Sequence, residues 1–201
     1  NDSNAANNTI NAAINISAAP TIAPQVLFQS GFNADAGGFV YLDDAFRATR
    51  QPNYAAGSRI VTAGDGKLQV RLGGADAVII KNMSGGWRKS FTLTKAQSVT
   101  LSFEYRVDQT PHYESNEWSD ALLSLDGRLI GLNGGDFLSR VTGDGEEGSA
   151  RTSGKMQVTL TRGPLAAGTH TIILGGFNNQ KTSSREITTI TFDNVKLNAK
   201  P

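Results

Sequence analysis

Between Thr110 and Trp118 the chain reads TPHYESNEW, placing a histidine, two aromatic rings, an amide and two glutamates in one short stretch. Flat rings can stack on the faces of pyranoses, while amides and carboxylates can bind their hydroxyls. His112, Tyr113, Asn116, Glu117 and Trp118 therefore form one half of a candidate sugar site. Asn178, Asn179 and Gln180 form the other half, and Tyr54, after Gln51-Pro52-Asn53, belongs to a third polar cluster. Trp87 follows Ser84-Gly85-Gly86 and sets the phase of an inward-facing strand, which assigns it to the core.

Oxygen-rich side chains bunch in three places, and calcium takes six to eight oxygen ligands. Asn33, Asp35, Asp43 and Asp44 flank Gly38-Phe39-Val40-Tyr41, and Asp193-Asn194 lie near the end of the chain. Glu114, Glu117 and Asp120 sit in the His112 segment, with Glu186 able to join them. The metal candidates are thus Asp35, Asp43, Asp44, Glu114, Glu186 and Asp193, in a discontinuous site without an EF-hand. Cysteine is absent, which excludes disulfides, thiolate chemistry and cysteine-held zinc. A structural calcium is a common substitute for disulfides in an extracellular sandwich.

Catalytic sets are missing. Neither His112 nor His170 is accompanied by Gly-x-Ser-x-Gly or His-Glu-x-x-His. Glu104 and Asp108 are spaced wrongly for the Glu-x-Asp-x-x-Glu strand of a retaining β-glucanase. The stretch Leu174–Gln180 has Phe177 where a jelly-roll alginate lyase carries its proton-donating tyrosine.

The elements that must position these residues are strands. Val99, Leu101, Phe103, Tyr105 and Val107 alternate with polar residues, and Trp87, Phe91 and Leu93 share a face. Met156, Val158 and Leu160 form another inward set, as do His170, Ile172 and Leu174. Residues 121–125 and 128–132 flank Asp126-Gly127, which suits a type I′ hairpin turn. A last strand over 187–197 changes apolar phase between Phe192 and Val195, predicting a bulge near Asp193. No segment patterns as a long amphipathic helix. The expected fold is all-β: a two-sheet antiparallel β-sandwich of the jelly-roll kind. Residues 133–154, rich in Gly, Ser, Asp and Glu, are too long for a hairpin loop and are expected to be functional or disordered.

Residues 1–24 are low-complexity Asn, Ala, Ile and Ser and read as a linker or N-terminal tail, with the sandwich over 25–201. The chain starts without a basic, then apolar leader and reads as a piece of a longer polypeptide. A net charge of +1 offers no field to recruit nucleic acid. No apolar run approaches the roughly 18 residues of a membrane span.

Leu27-Phe28-Gln29-Ser30-Gly31-Phe32, Gly37-Gly38-Phe39, Leu165–Ile172 and the closing Ile190-Thr191-Phe192-Asp193-Asn194-Val195 together resemble a known group. They are similar to concanavalin A-like or galactose-binding-like jelly rolls, which serve as carbohydrate-binding modules and adhesion domains of bacterial extracellular proteins. The resemblance implies that the first and last strands lie together and that Asp193 helps hold a structural calcium. Where many such modules carry Phe-Glu, this chain has Phe32-Asn33.

The expected function is a non-catalytic, calcium-supported module that binds polysaccharide or glycan, secreted or at a bacterial surface, within a larger protein. Neighbouring modules or subunits are possible partners; nucleic acid and membrane insertion are not expected. Two alternatives stand beside it. One is a structural or assembly domain of an adhesin; the other is a polysaccharide lyase or hydrolase using His112, Tyr113 and a carboxylate.

Overall fold

Alternation in the sequence becomes two faces in the structure. Along residues 97–109 every odd-numbered position is buried, with Val99, Leu101, Phe103, Tyr105 and Val107 at most 5% exposed. Such a strand must be covered on one side, and a second sheet covers it.

The computed structural model describes residues 23–46, 52–132 and 134–200. Its strands are β1 (Gln25–Ser30), β2 (Val40–Asp43), β3 (Ala55–Thr62), β4 (Asp65–Gly73), β5 (Ile80–Leu93) and β6 (Gln97–Gln109). They continue with β7 (Trp118–Leu125), β8 (Arg128–Leu129), β9 (Ser139–Thr142), β10 (Arg151–Thr152), β11 (Met156–Leu165), β12 (Gly168–Lys181) and β13 (Ile187–Ala199). A short 3-10 turn at Pro52–Tyr54 precedes β3, and no α-helix occurs among the described residues. The expected linker over 1–24 falls almost wholly outside the described residues. Among them no helix is long and apolar enough to cross a membrane.

One sheet runs β10-β6-β13-β4-β3, with β11 also on β6 and β1 also on β13. The other runs β2-β5-β12-β7-β8, with β9 also on β7. All pairings are antiparallel, and together they form the expected jelly-roll sandwich. First and last strands do lie together, as β1 pairs with β13 from Gln25–Ala199 to Ser30–Val195. Between the sheets Phe103, Tyr105 and Phe192 pack ring to ring, with centroids 6.1 to 6.4 Å apart.

Local chemistry sets the joints. Asp126 and Gly127 both have positive φ, 50° and 79°, as a type I′ turn requires. The bulge falls where the phase changes: the β13–β6 register shifts between Asp193 and Lys196, with Asn194 at φ 51°. At the centre of the second sheet Gly175 faces Gly85 and Gly86, and a Cβ on Gly175 would collide with the Gly85 carbonyl.

Three expectations need correction. The strand after Asp126-Gly127 stops at Leu129, because the chain turns away and closes on itself through Leu132 N–H donating to Phe137 O (3.0 Å). Met156 has the right parity but begins an edge strand and stays 36% exposed. The segment 133–154 is not one loop, since it contains β9 and β10.

Candidate functional site

Parity decides which of the candidate binding residues can meet a ligand. Successive side chains of a strand point to opposite faces. Entering β7, Asn116 and Trp118 face outward while Glu117 and Ser119 turn inward, and in β12 Asn179 faces outward between inward Asn178 and Gln180. Two hydrogen bonds fasten the outward set: Trp118 N–H donates to Asn179 Oδ1 (2.6 Å), and Asn179 Nδ2 donates to Asn116 O (3.0 Å).

The inward set forms a buried polar network at the end of the sandwich where β6 finishes and β13 begins. Gln109 Nε2 and Asn178 Nδ2 both donate to Ser119 Oγ (3.0 and 2.9 Å). Ser119 Oγ lies 2.6 Å from Thr188 Oγ1, which donates to the Tyr113 hydroxyl (3.0 Å). Tyr113 is 1% exposed and Asn178 0%, so neither can stack on or bind a sugar at the surface. Burial raises the Tyr113 pKa, and the charges of Glu186 and Glu117 add to the effect.

Against this network stand Glu114, Glu117 and Glu186, with ligand oxygens all within 4.8 Å of one another. Glu117 and Glu186 are buried. Thr182 joins the set, its hydroxyl donating to Glu114 Oε1 (3.1 Å) and lying 3.1 Å from Glu186 Oε1, while its N–H donates to Glu186 Oε2. Gln180 Nε2 donates to Glu117 Oε1 (3.2 Å). Burial and the neighbouring Glu114 push the Glu117 pKa up to about 8, whereas its hydrogen bond with Glu117 holds Glu114 below the usual range. No lysine or arginine ion-pairs with the three carboxylates among the described residues. An all-oxygen donor set with excess negative charge fits a hard cation such as calcium rather than zinc.

The other metal candidates are not brought to this cluster. Asp35 accepts from Gly37 N–H (2.6 Å), Asp43 from Asp44 N–H (3.0 Å) and Asp193 from Asn194 N–H (2.6 Å). Each carboxylate caps its own turn, and Glu114, Glu117 and Glu186 are the one acidic or histidine group of three close enough to share an ion among the described residues. Asn33, departing from the Phe-Glu pattern, accepts from Gly66 N–H (2.7 Å). Asp44, with φ 50°, follows Asp43 at the end of β2 and lies apart from the three glutamates. Asp120 also leaves the cluster, because strand parity turns it to the outer face.

On that outer face lies what the sequence did not disclose. Arg140 on β9 grips the fully buried Asp120 carboxylate through Nε (2.7 Å) and Nη2 (2.9 Å). Its guanidinium sits 4.8 Å from the Trp118 ring centroid and 4.7 Å from that of Phe137. The result is a ring–cation–ring stack beside Asn116 and Asn179. The one available signal was Arg140-Val141-Thr142, a short alternation inside a glycine-rich stretch. Lys181 was also missed. Fully buried, it donates to Asp76 O and Val78 O (2.7 Å each), so an ammonium fills an oxygen cage that orders the turn before β5.

The histidines are not paired with a nucleophile. His112 bonds through Nδ1 to Glu146 O (2.8 Å), and the hydroxyl of buried Tyr113 beside it is engaged by Thr188. His170 stacks on Phe91 at 5.4 Å and has both ring nitrogens engaged, with Asp126 Oδ2 (2.8 Å) and Ala166 O (2.9 Å).

No protein-family model matches the chain, and no curated protein matches it. Among solved structures it is similar to the mannan-recognising carbohydrate-binding module TmCBM27, with 14% identity and a TM-score of 0.48 over 90% of this chain and 100% of that one. The K1 cleaved adhesin domain of Lys-gingipain from Porphyromonas gingivalis W83 is similar at 14% identity and a TM-score of 0.42, over 86% and 98% of the two chains. A sugar-binding protein from Bacteroides thetaiotaomicron, so described provisionally, is similar at 10% identity and a TM-score of 0.39, over 90% and 96%.

Proposed function

We propose that the chain is a non-catalytic glycan-binding module whose sugar-facing platform is Asn116, Trp118, Phe137, Arg140 and Asn179. The cluster of Glu114, Glu117 and Glu186 beneath it holds a structural calcium, with the Thr182 hydroxyl as a further oxygen donor. One observation carries this reading. Glu117 lies between Asn116 and Trp118 in the chain, so the same backbone segment presents an aromatic and amide face outward and a carboxylate cluster inward. Calcium there ties the segment before β7 to the turn between β12 and β13 and holds the platform still, which lowers the ordering cost of binding.

The platform suits a polysaccharide hydroxyl array: two amides and a guanidinium supply donors, and the rings supply flat apolar area. The engagement of both histidines away from any nucleophile supports a binding role over lyase or hydrolase chemistry. A place outside the cell, within a larger surface or matrix protein, is part of the same proposal.

A glycan array in calcium-containing buffer tests it. Binding to one class of polysaccharide that is lost in Trp118→Ala supports the reading. An array without signal, or one unchanged by that substitution, removes it.

A further inference from the structure

At the end of the sandwich away from the acidic cluster, the edge hairpin of one sheet and the edge strand of the other stand apart. They leave an open groove of about 660 Å3, well within the size range of small-ligand sites. Arg128, Leu129 and Ile130 form one wall, and Arg162, Gly163 and Leu165 the other. Gly134 and Gly135 close a third side. Gly134 there has φ 81°, and a Cβ on it would meet nothing within 4 Å, so the turn offers bare backbone to the groove.

The groove carries uncompensated positive charge. Its one lining carboxylate, Asp126, already accepts from Thr171 N–H (2.8 Å) and His170 Nδ1 (2.8 Å). His170 meets Asp126 Oδ2 and the Ala166 carbonyl at its two nitrogens, and these bonds favour its protonated form. Arg162 spends one N–H on Thr161 O (3.0 Å), and neither Arg128 nor Arg162 makes an ion pair among the described residues. Two guanidiniums from the edge strands of opposite sheets thus share one rim. An anion with several acceptor oxygens is the ligand that guanidinium forks match.

We propose that this groove is a second ligand site, for a saccharide bearing an anionic group, either the carboxylate of a uronic acid or a sulfate ester. No aromatic ring lines it, so a neutral pyranose gains little there. The arginines grip the anion while Leu129, Ile130 and Leu165 take the C–H face of the sugar. This inference does not rest on the Trp118 platform.

Calorimetric titration at about 0.15 M salt, where exposed charges more than a Debye length apart are screened, separates the cases. The probes are tri-galacturonate, galactotriose as its neutral counterpart, and a sulfated galactose disaccharide. The proteins are the unmodified chain and Arg128→Gln/Arg162→Gln. Binding of at least one anionic probe is expected, weakened about tenfold or more in the double variant. Which anionic probe binds tells carboxylate from sulfate ester. Both arginines are exposed, and a matching thermal midpoint of the double variant confirms its fold. Absence of binding by both anionic probes, galactotriose binding weakened equally by the double change, or equal affinity in the double variant overturns the proposal.

Discussion

Trp118 N–H donates to Asn179 Oδ1 across 2.6 Å, joining the entry of β7 to the neighbouring strand β12. The bond is made by the outward-facing member of each pair, so it marks the boundary between the platform above and the carboxylates below. Glu117, one residue earlier, makes its contact with Gln180, one residue after Asn179, on the other side of the sheet.

Calcium is expected to stabilise the fold. At 100-fold excess over the dissociation constant, an ion bound only by the folded state adds about 2.7 kcal/mol. Thermal midpoints measured against calcium should rise for the unmodified chain and stay flat for Glu117→Gln. A flat response in both removes the metal from the site.

Asp120 and Arg140 should behave as a unit. Arg140→Ala strands a fully buried carboxylate and is expected to cost about 1–3 kcal/mol. The double change Asp120→Asn with Arg140→Gln should cost less than the sum of its parts in a double-mutant cycle by chemical denaturation. Additive costs would show that the pair is not coupled.

The His170–Asp126 pair gives a pH dependence. The hydrogen bond to Asp126, then that to Ala166, raises the His170 pKa above its usual 6.5. A raised histidine binds its proton more tightly when folded, so its contribution is complete below about 6.5 and is lost as pH rises through the folded value. Asp126→Asn keeps the turn and an acceptor for Thr171 N–H while removing the charge. Midpoints from pH 5 to 9 should fall with rising pH in the unmodified chain and fall less in the variant.

Gly175→Ala is expected to destabilise by about 1–3 kcal/mol, because the added carbon meets backbone rather than a movable side chain. Urea denaturation measures it. Exposed Gly127→Ala, with open space around it, should cost only the strain of an alanine at positive φ.

Much of the fold could be read from the chain because strand parity is a local property. Residues 99–107, Asp126-Gly127 and the phase change at Asp193 each carry their own signal. The site was less legible for the same reason. Which face Glu117 or Trp118 takes is local, but which strand lies opposite is not, so Tyr113 and Asn178 were assigned to a surface they do not reach. Arg140 comes from a strand of four residues in a glycine-rich stretch, and only pairing with β7 sets it over Trp118. Asp35, Asp43 and Asp193 read as calcium candidates because acidic residues cap turns and bind metals with the same oxygens, and each accepts from an N–H of its own turn.

The most direct test of a calcium-supported glycan platform is calorimetric titration of the polysaccharide selected by the array, with calcium present and after chelation. A loss of about tenfold or more in affinity on chelation is expected, since freeing the segment before β7 restores the ordering cost of the platform. Equal affinity in both buffers would contradict the link between the carboxylates beneath the sheet and the binding face above it.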